Sequence, residues 1–510
     1  MCAAPAGEVE QRSDAERDSE ALIRTRVVLV ICCMASCVTA VDTTIINVAL
    51  PSIQREFRAS IADTQWTIDS YVFVIGCLLA ASGSAADRFG RLRIFQLGLL
   101  TFTIGSLLCS VAPRLEWLVV FRMVQAAGGS MLVPGGLSII TGVFTDSKGR
   151  ARALGVWGGM AGVSLAIGPV LGGVLVQHIG WRSIFWVNIA PGFIAITLAA
   201  RFVPESKAAH ARRFDPIGQL LLIGLLGALL YAIIEAPSLG WVSPPILVGL
   251  IAAGVGLIAF WLYESRRDEP FVDPRFFRSA PFAGANIINV CAYGAYAGFV
   301  FLNTFYLQDV LHYSPEQAGL SFLPLAAVFA VSAVAAGWAV SRCGPRPVLL
   351  AAGPAIVAGA LLFAAQAAHP SDARLFASYA LIGLGMGGLN PTVANTAIAG
   401  MPPAQAGVAS AINSTGRQVG QAIGVAVIGT VIASYVRRVA PGVAFTDAVR
   451  TSCQIVAGCG LVTLLLGIVT SSLWAERTAK RNAARMSASL ADGAVSLPTE
   501  SGATWSSRSE

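Results

Sequence analysis

The stretch Val27–Pro51, VVLVICCMASCVTAVDTTIINVALP, limits what this chain can become more than any other. At ~1.5 Å per residue a helix of this length reaches about 37 Å, enough to cross a hydrocarbon layer of roughly 30 Å with some tilt. It carries one acid, Asp42, which therefore lies inside a bilayer. A carboxylate at that depth costs roughly 2.5–3.5 kcal/mol to insert, so Asp42 is expected to face a protein interior or a wet cavity and to exchange protons there.

The remainder repeats the apolar pattern. Of 510 residues, 55% are hydrophobic and 12% charged, whereas about a quarter of a soluble domain is charged. This leaves an all-α integral membrane protein as the class. The net charge of +7 does not point to nucleic acid, because the basic residues sit in short loops where they orient the spans. Cys32, Cys33, Cys37, Cys77, Cys109, Cys291 and Cys459 fall within apolar runs as small packing residues, which speaks against a disulfide framework or a metal. The first run is too long for a signal-peptide core and leads straight into further spans, so it is expected to be retained.

Fourteen candidate spans follow one another, at about 25–50, 67–86, 94–112, 115–140, 152–177, 183–201, 216–235, 245–264, 282–308, 318–340, 347–367, 374–398, 407–434 and 451–474. Residues 1–24 and 476–510 read as disordered, cytoplasmic ends rich in charge and small polar residues. An even number of spans puts both ends on one side. That side holds 25 of the 35 Arg and Lys residues, which predicts it to be cytoplasmic.

Two loops echo each other. Gly83–Arg93 reads GSAADRFGRLR and Gly337–Pro347 reads GWAVSRCGPRP, sharing Gly83 with Gly337, Ala85 with Ala339, Arg88 with Arg342 and Gly90 with Gly344 at an offset of 254 residues. The same offset carries the first span onto the ninth. Two six-helix bundles, 25–202 and 279–475, are thus expected, joined by residues 203–278 with two inserted helices. Duplicated halves around a cavity are a transporter plan.

Four motifs lie along this plan. The first span holds Asp42, Thr44, Asn47, Ala49, Leu50 and Pro51; the loop from Gly83 holds Asp87, Arg88, Gly90 and Arg91; RMVQAAGG supplies Arg122 and Gln125; GPVLGG runs from Gly168 to Gly173 through Pro169 and Gly172. With these residues the chain resembles the major facilitator superfamily, and within it the fourteen-helix drug:proton antiporters. Ala85, Leu92 and Ala126 depart from the usual residues of those motifs.

The resemblance implies a proton-coupling acid at Asp42 influenced by Arg122, a cytoplasmic gate at Gly83–Arg91 and an antiporter motif at Gly168, Pro169, Gly172 and Gly173. The physics of each is legible. A buried guanidinium needs an acidic partner, and Arg122 is expected to pair with Asp42. Asp87 with Arg88, Arg91 and Arg93 can latch an inner loop when a cavity faces outward and release it when the cavity tips. Gly155, Gly159, Gly168 and Gly172 form small-residue faces for close helix contact, Pro169 removes a backbone hydrogen bond, and Gly416, Gly420 and Gly424 repeat the theme beside Arg417.

Asp69, one turn into the second span beyond Trp66, is a second proton-coupling candidate if it lines an outer mouth; the alternative is a solvated helix-end acid. Glu235 reads as solvated, and Trp157, Trp181 and Trp186 as packing or interface residues. Asn47, Tyr71, Gln125 and Arg417 are candidate cavity residues. His178, His210, His312 and His369 lack metal-ligand spacing, no Walker loop is present, and no nucleophile, base and metal cluster suggests an enzyme.

The resulting expectation is a multi-pass cytoplasmic-membrane exporter, working as a monomer without a cofactor. A hydrophobic or cationic organic compound moves out while protons run in, the proton gradient supplying the energy. A proton-driven uptake symporter and a non-transporting sensor of the same fold are the alternatives. The preference for Arg over Lys and the abundance of Ala and Gly suggest a high-GC bacterial genome.

Overall fold

The computed structural model describes residues 6–144, 146–207, 215–267, 273–368, 370–399, 401, 406–436 and 441–495. His210 and His369 lie outside them. Sixteen α-helices run in order: α1 (Ala6–Phe57), α2 (Ile61–Phe89), α3 (Arg91–Ser110), α4 (Leu115–Val143), α5 (Ser147–His178), α6 (Ser183–Phe202), α7 (Pro216–Leu239), α8 (Pro244–Glu264), α9 (Ala280–Phe305), α10 (Pro315–Ser321), α11 (Leu323–Cys343), α12 (Arg346–Ala368), α13 (Asp372–Ile398), α14 (Ala406–Val436), α15 (Pro441–Thr470) and α16 (Leu473–Val495). A π-helical turn, Tyr306–Val310, prolongs α9.

Helix starts follow local chemistry. Ser60 and Asp63 form a capping box at α2, and Ser314 and Gln317 form another at α10. Asp146 and Asp215 cap α5 and α7 by accepting from backbone amides of the first turn. Thirteen described helices are long and apolar enough to cross a membrane, α10 and α11 counting as one crossing. Helix α13, at 27 residues, is long enough but breaks its apolar run with Gly, Asn, Thr and Pro.

Helices α1 to α6 pack chiefly on one another, and α9 to α15 do likewise. Helices α7 and α8 pair with each other, and α7 lies against α2 and α14. The two groups meet through α5 against α10 and α2 against α14. The Gln308 amide donates across to the Val48 carbonyl at 2.9 Å. The α2–α14 contact runs from Gln65 beside Gly429 to Gly76 beside Gln418, and a Cβ placed on Gly155, Gly158 or Gly159 of α5 would meet no atom within 4 Å.

Two expectations are corrected here. The close contacts expected at Gly155 and Gly159 are absent, because that part of α5 faces open space; Gly168 and Gly172 instead sit tightly against Thr44 and Ile45 of α1. The ends expected to be disordered are helical over Ala6–Ile23 and Glu476–Val495. The first is rich in Ala and Glu and the second in Ala and Arg, which are strong helix formers whatever their polarity. The loop repeat, by contrast, has a geometric counterpart, since Gly90 and Gly344 both take positive φ, 120° and 74°.

Candidate functional site

Asp42 sits within the spanning part of α1, fully buried among α4 and α6. Its Oδ2 accepts from Arg122 Nη1 at 2.5 Å; its Oδ1 accepts from Gln125 Nε2 and Asn188 Nδ2, each at 2.8 Å. Arg122 also donates from Nε to the Thr67 carbonyl at 3.2 Å and from Nη1 to Gln125 Oε1 at 2.7 Å. Its guanidinium lies 3.9 Å from the Tyr71 ring centre and 5.9 Å from that of Phe185. Ser106 Oγ accepts from both amides, Gln125 at 2.6 Å and Asn188 at 3.1 Å, tying α3 into the cluster.

An ion pair removed from water is stable only when its remaining donors and acceptors are also met, and this one is met from four directions. The expected Asp42 partner is therefore present. Tyr71 and Gln125, expected as cavity residues, are instead buried inside this cluster, where packing and charge solvation take both side chains. Asn188 went unread in the sequence, although it is the one side-chain amide of the otherwise apolar α6.

Asp69 overturns the solvated alternative, being fully buried with neither carboxylate oxygen partnered among the described residues. One turn before it on the same face of α2, Gln65 donates to the carbonyls of Val425 and Ala426 on α14, at 2.9 and 3.3 Å. Asp69 thus lies at the seam between the two helix groups. Glu235 is likewise not merely solvated, since the Trp66 indole donates to it at 3.2 Å.

The GPVLGG string forms the same seam on another side. A Cβ on Gly173 would stand 2.9 Å from the Glu316 Cα, and the Pro169 carbonyl abuts Gly319 of α10 so closely that no side chain fits at Gly319. At the rim, His178 and Glu316 approach to 3.3 Å. Beside the seam, Thr44, Asn47, Pro169, Tyr296 and Phe322, drawn from both groups, border a narrow cleft of about 10 Å³.

The loop after α2 holds its charges within one group. Asp87 pairs with Arg91 at 3.1 Å, Arg91 reaches the Ser138 carbonyl at 3.5 Å, and exposed Arg88 lies over Phe89. Gly83 meets only Pro134, at ordinary distance. Glu205, not singled out in the sequence, caps α3 by accepting from the backbone amides of Leu92 and Arg93 at 3.1 and 3.3 Å. Its carboxylate occupies the space that a Cβ on Gly90 would need. Arg417 on α14 is half-buried, its guanidinium 5.5 Å from the centre of the Tyr293 ring.

Comparison with known proteins agrees with this geometry. A curated relative, multidrug resistance protein Stp of Mycobacterium tuberculosis (strain ATCC 25618 / H37Rv), is 37% identical over 77% of this chain and 73% of its own length. Puromycin resistance protein pur8 of Streptomyces alboniger is 37% identical over 79% of this chain and 81% of its own. The tetracenomycin C resistance and export protein of Streptomyces glaucescens is 33% identical over 79% and 75%.

The fold is similar to that of a bacterial homologue of the human lysosomal transporter Spinster, with a TM-score of 0.61, 19% identity and coverage of 90% and 98%. It is also similar to a peptide transporter POT, with a TM-score of 0.65, 14% identity and coverage of 88% and 95%. The family model described as Major Facilitator Superfamily matches residues 32–215 and 213–425. The chain belongs to the major facilitator superfamily.

Proposed function

We propose that this transporter is a proton-coupled efflux antiporter of the cytoplasmic membrane, exporting a hydrophobic or cationic organic compound by alternating access. The observation that carries the reading is the fully buried Asp42–Arg122 pair, held by Gln125 and Asn188 within the first helix group. Protonating Asp42 dissolves the ion pair and leaves Arg122 with the Thr67 carbonyl, Gln125 and the Tyr71 ring, so proton binding shifts the energy of the whole cluster. Thr44, two residues along α1 and tight against Gly168 of α5, and Asn47 on the cleft give that shift a route to the seam.

In this reading α1 enters from the cytoplasm, both chain ends are cytoplasmic, and the open space near Gly155 and Gly159 is the inward mouth. Pro169 and Gly173 seal the outer side against α10, while Gly168 and Gly172 hold α5 tight to α1. The loop from Gly83 through Asp87, Arg88, Gly90 and Arg91 is a released latch, its charges paired locally while the mouth is open. Asp69 is a second proton site at the seam. The protein acts as a monomer, and the proton gradient is its energy source, with no cofactor. Two six-helix bundles, 25–202 and 279–475, rock about the seam while α7 and α8, within 203–278, brace α2 and α14.

Export resistance in the named relatives supports the direction. Everted vesicles carrying the chain should accumulate puromycin or tetracenomycin C when their lumen is acidic, and lose that accumulation with a protonophore. Accumulation that ignores the protonophore, or none from a wider panel of amphiphiles, contradicts the reading.

A further inference from the structure

Two arginines lie well inside the membrane-spanning helices, and they are held differently. Arg122 is 1% exposed and ion-paired. Arg417, about three turns into α14, is half-buried and makes no ion pair or hydrogen bond among the described residues. Around it, the Tyr293 hydroxyl donates to Asn390 Oδ1 at 3.1 Å. One turn toward the entry face on the same side of α14, Asn413 is 7% exposed and its amide nitrogen has no partner among the described residues. Asn289 donates to the Asn413 carbonyl at 2.6 Å, and the Asn286 oxygen on α9 is unpartnered.

Unused donors dominate this corner: the guanidinium fork and the Asn413 amide, against the single oxygen of Asn286. A planar charged fork is matched by a planar anion, which takes two parallel hydrogen bonds from it. Nothing comparable awaits a cation. Asp42 is occupied by three donors, Glu235 by Trp66, and Asp69 is shut inside the seam. Half-buried, Arg417 is within reach of water; were the surrounding helices to close and exclude it, an unpaired guanidinium would become costly. A bound anion offsets that cost, so the loaded form favours closure.

We infer that the cavity carries an anion-accepting subsite made by Arg417, Asn413 and the Tyr293–Asn390 pair, and that the preferred cargo is an apolar molecule bearing a carboxylate, sulfonate or acidic phenol. The inference rests on the efflux reading and narrows it, away from cations.

Fluorescence anisotropy on the purified full chain in detergent tests it, with fluorescein as the anionic probe and ethidium as the cationic one. Wild type should bind fluorescein more tightly than ethidium. Arg417→Gln should weaken fluorescein binding at least tenfold and leave ethidium within twofold; Arg417→Lys, which keeps the charge but loses the fork, should recover only part of the loss, with both variants melting near wild type. Preference for ethidium, equal loss of both dyes, or a fluorescein affinity indifferent to Arg417 overturns the subsite. Binding needs no gradient. A wild type that fails proton-driven export yet keeps Arg417-dependent fluorescein binding therefore defeats the antiport reading and leaves the subsite standing.

Discussion

Within the spanning part of α1, a carboxylate and a guanidinium share one hydrogen bond of 2.5 Å while Gln125, Asn188 and the Thr67 carbonyl engage them further. Removing one partner of such a pair leaves a buried charge and costs about 3–5 kcal/mol. Arg122→Ala should therefore lower the melting temperature of the detergent-purified protein and abolish energised export; a variant as stable and active as wild type would show the pair to be dispensable. Asn188→Ala removes one of the three donors to Asp42 without removing charge, so export should fall several-fold while membrane abundance holds, read by vesicle uptake against an immunoblot. These residues were unequally legible. Asp42 and Arg122 announce themselves because a charge in hydrocarbon demands a partner. Asn188 is only a polar amide in an apolar helix, a weaker signal, and which helix face it occupies becomes visible only once α6 is packed on α1 and α3.

Among the helices, α5 shows most plainly what a linear reading leaves out. Its glycines are visible as small residues, but Gly168, Gly172 and Gly173 pack tightly while Gly155, Gly158 and Gly159 border open space. Spacing cannot tell these apart, since the difference arises from the tilt of one helix group against the other. Gly173→Val would drive a branched side chain into Pro315 and Glu316, so the seam should no longer close. The expected result is a transporter with raised passive proton leak in vesicles and little coupled export; wild-type leak and export would reduce the motif to tolerant packing. The α3 cap behaves likewise. Glu205 sits in a connecting loop with no periodic pattern to mark it, yet it answers the free amides of Leu92 and Arg93. Glu205→Gln keeps one acceptor and loses the charge at a helix N-terminus, a loss of about 0.3–1 kcal/mol that differential melting can detect. The terminal helices were misread for a different reason, because charge density was weighed above the helix-forming tendency of Ala, Glu and Arg.

For the molecule as a whole, the order of the long helices was readable from apolar length, and thirteen of the fourteen expected spans have a described helix apolar enough to cross, α13 diluting its run with polar and small residues. The state of the machine was not readable, because one sequence must serve every state of the cycle. Contact at α5–α10 and α2–α14 is a property of how two helix groups lean. His178→Cys with Glu316→Cys, joined by a short thiol crosslinker, should hold that contact and stop export, with activity surviving in either single variant; undiminished export from the crosslinked protein would mean that the seam never opens. The most direct test of the account reads protons and cargo together. In proteoliposomes with an internal pH dye, adding a transported compound should move protons in the opposite direction through wild type. Asp42→Asn, which keeps the shape and an acceptor for Arg122, should bind the compound and exchange it down its own gradient without any proton movement. Proton counterflow undiminished in Asp42→Asn would contradict the central claim.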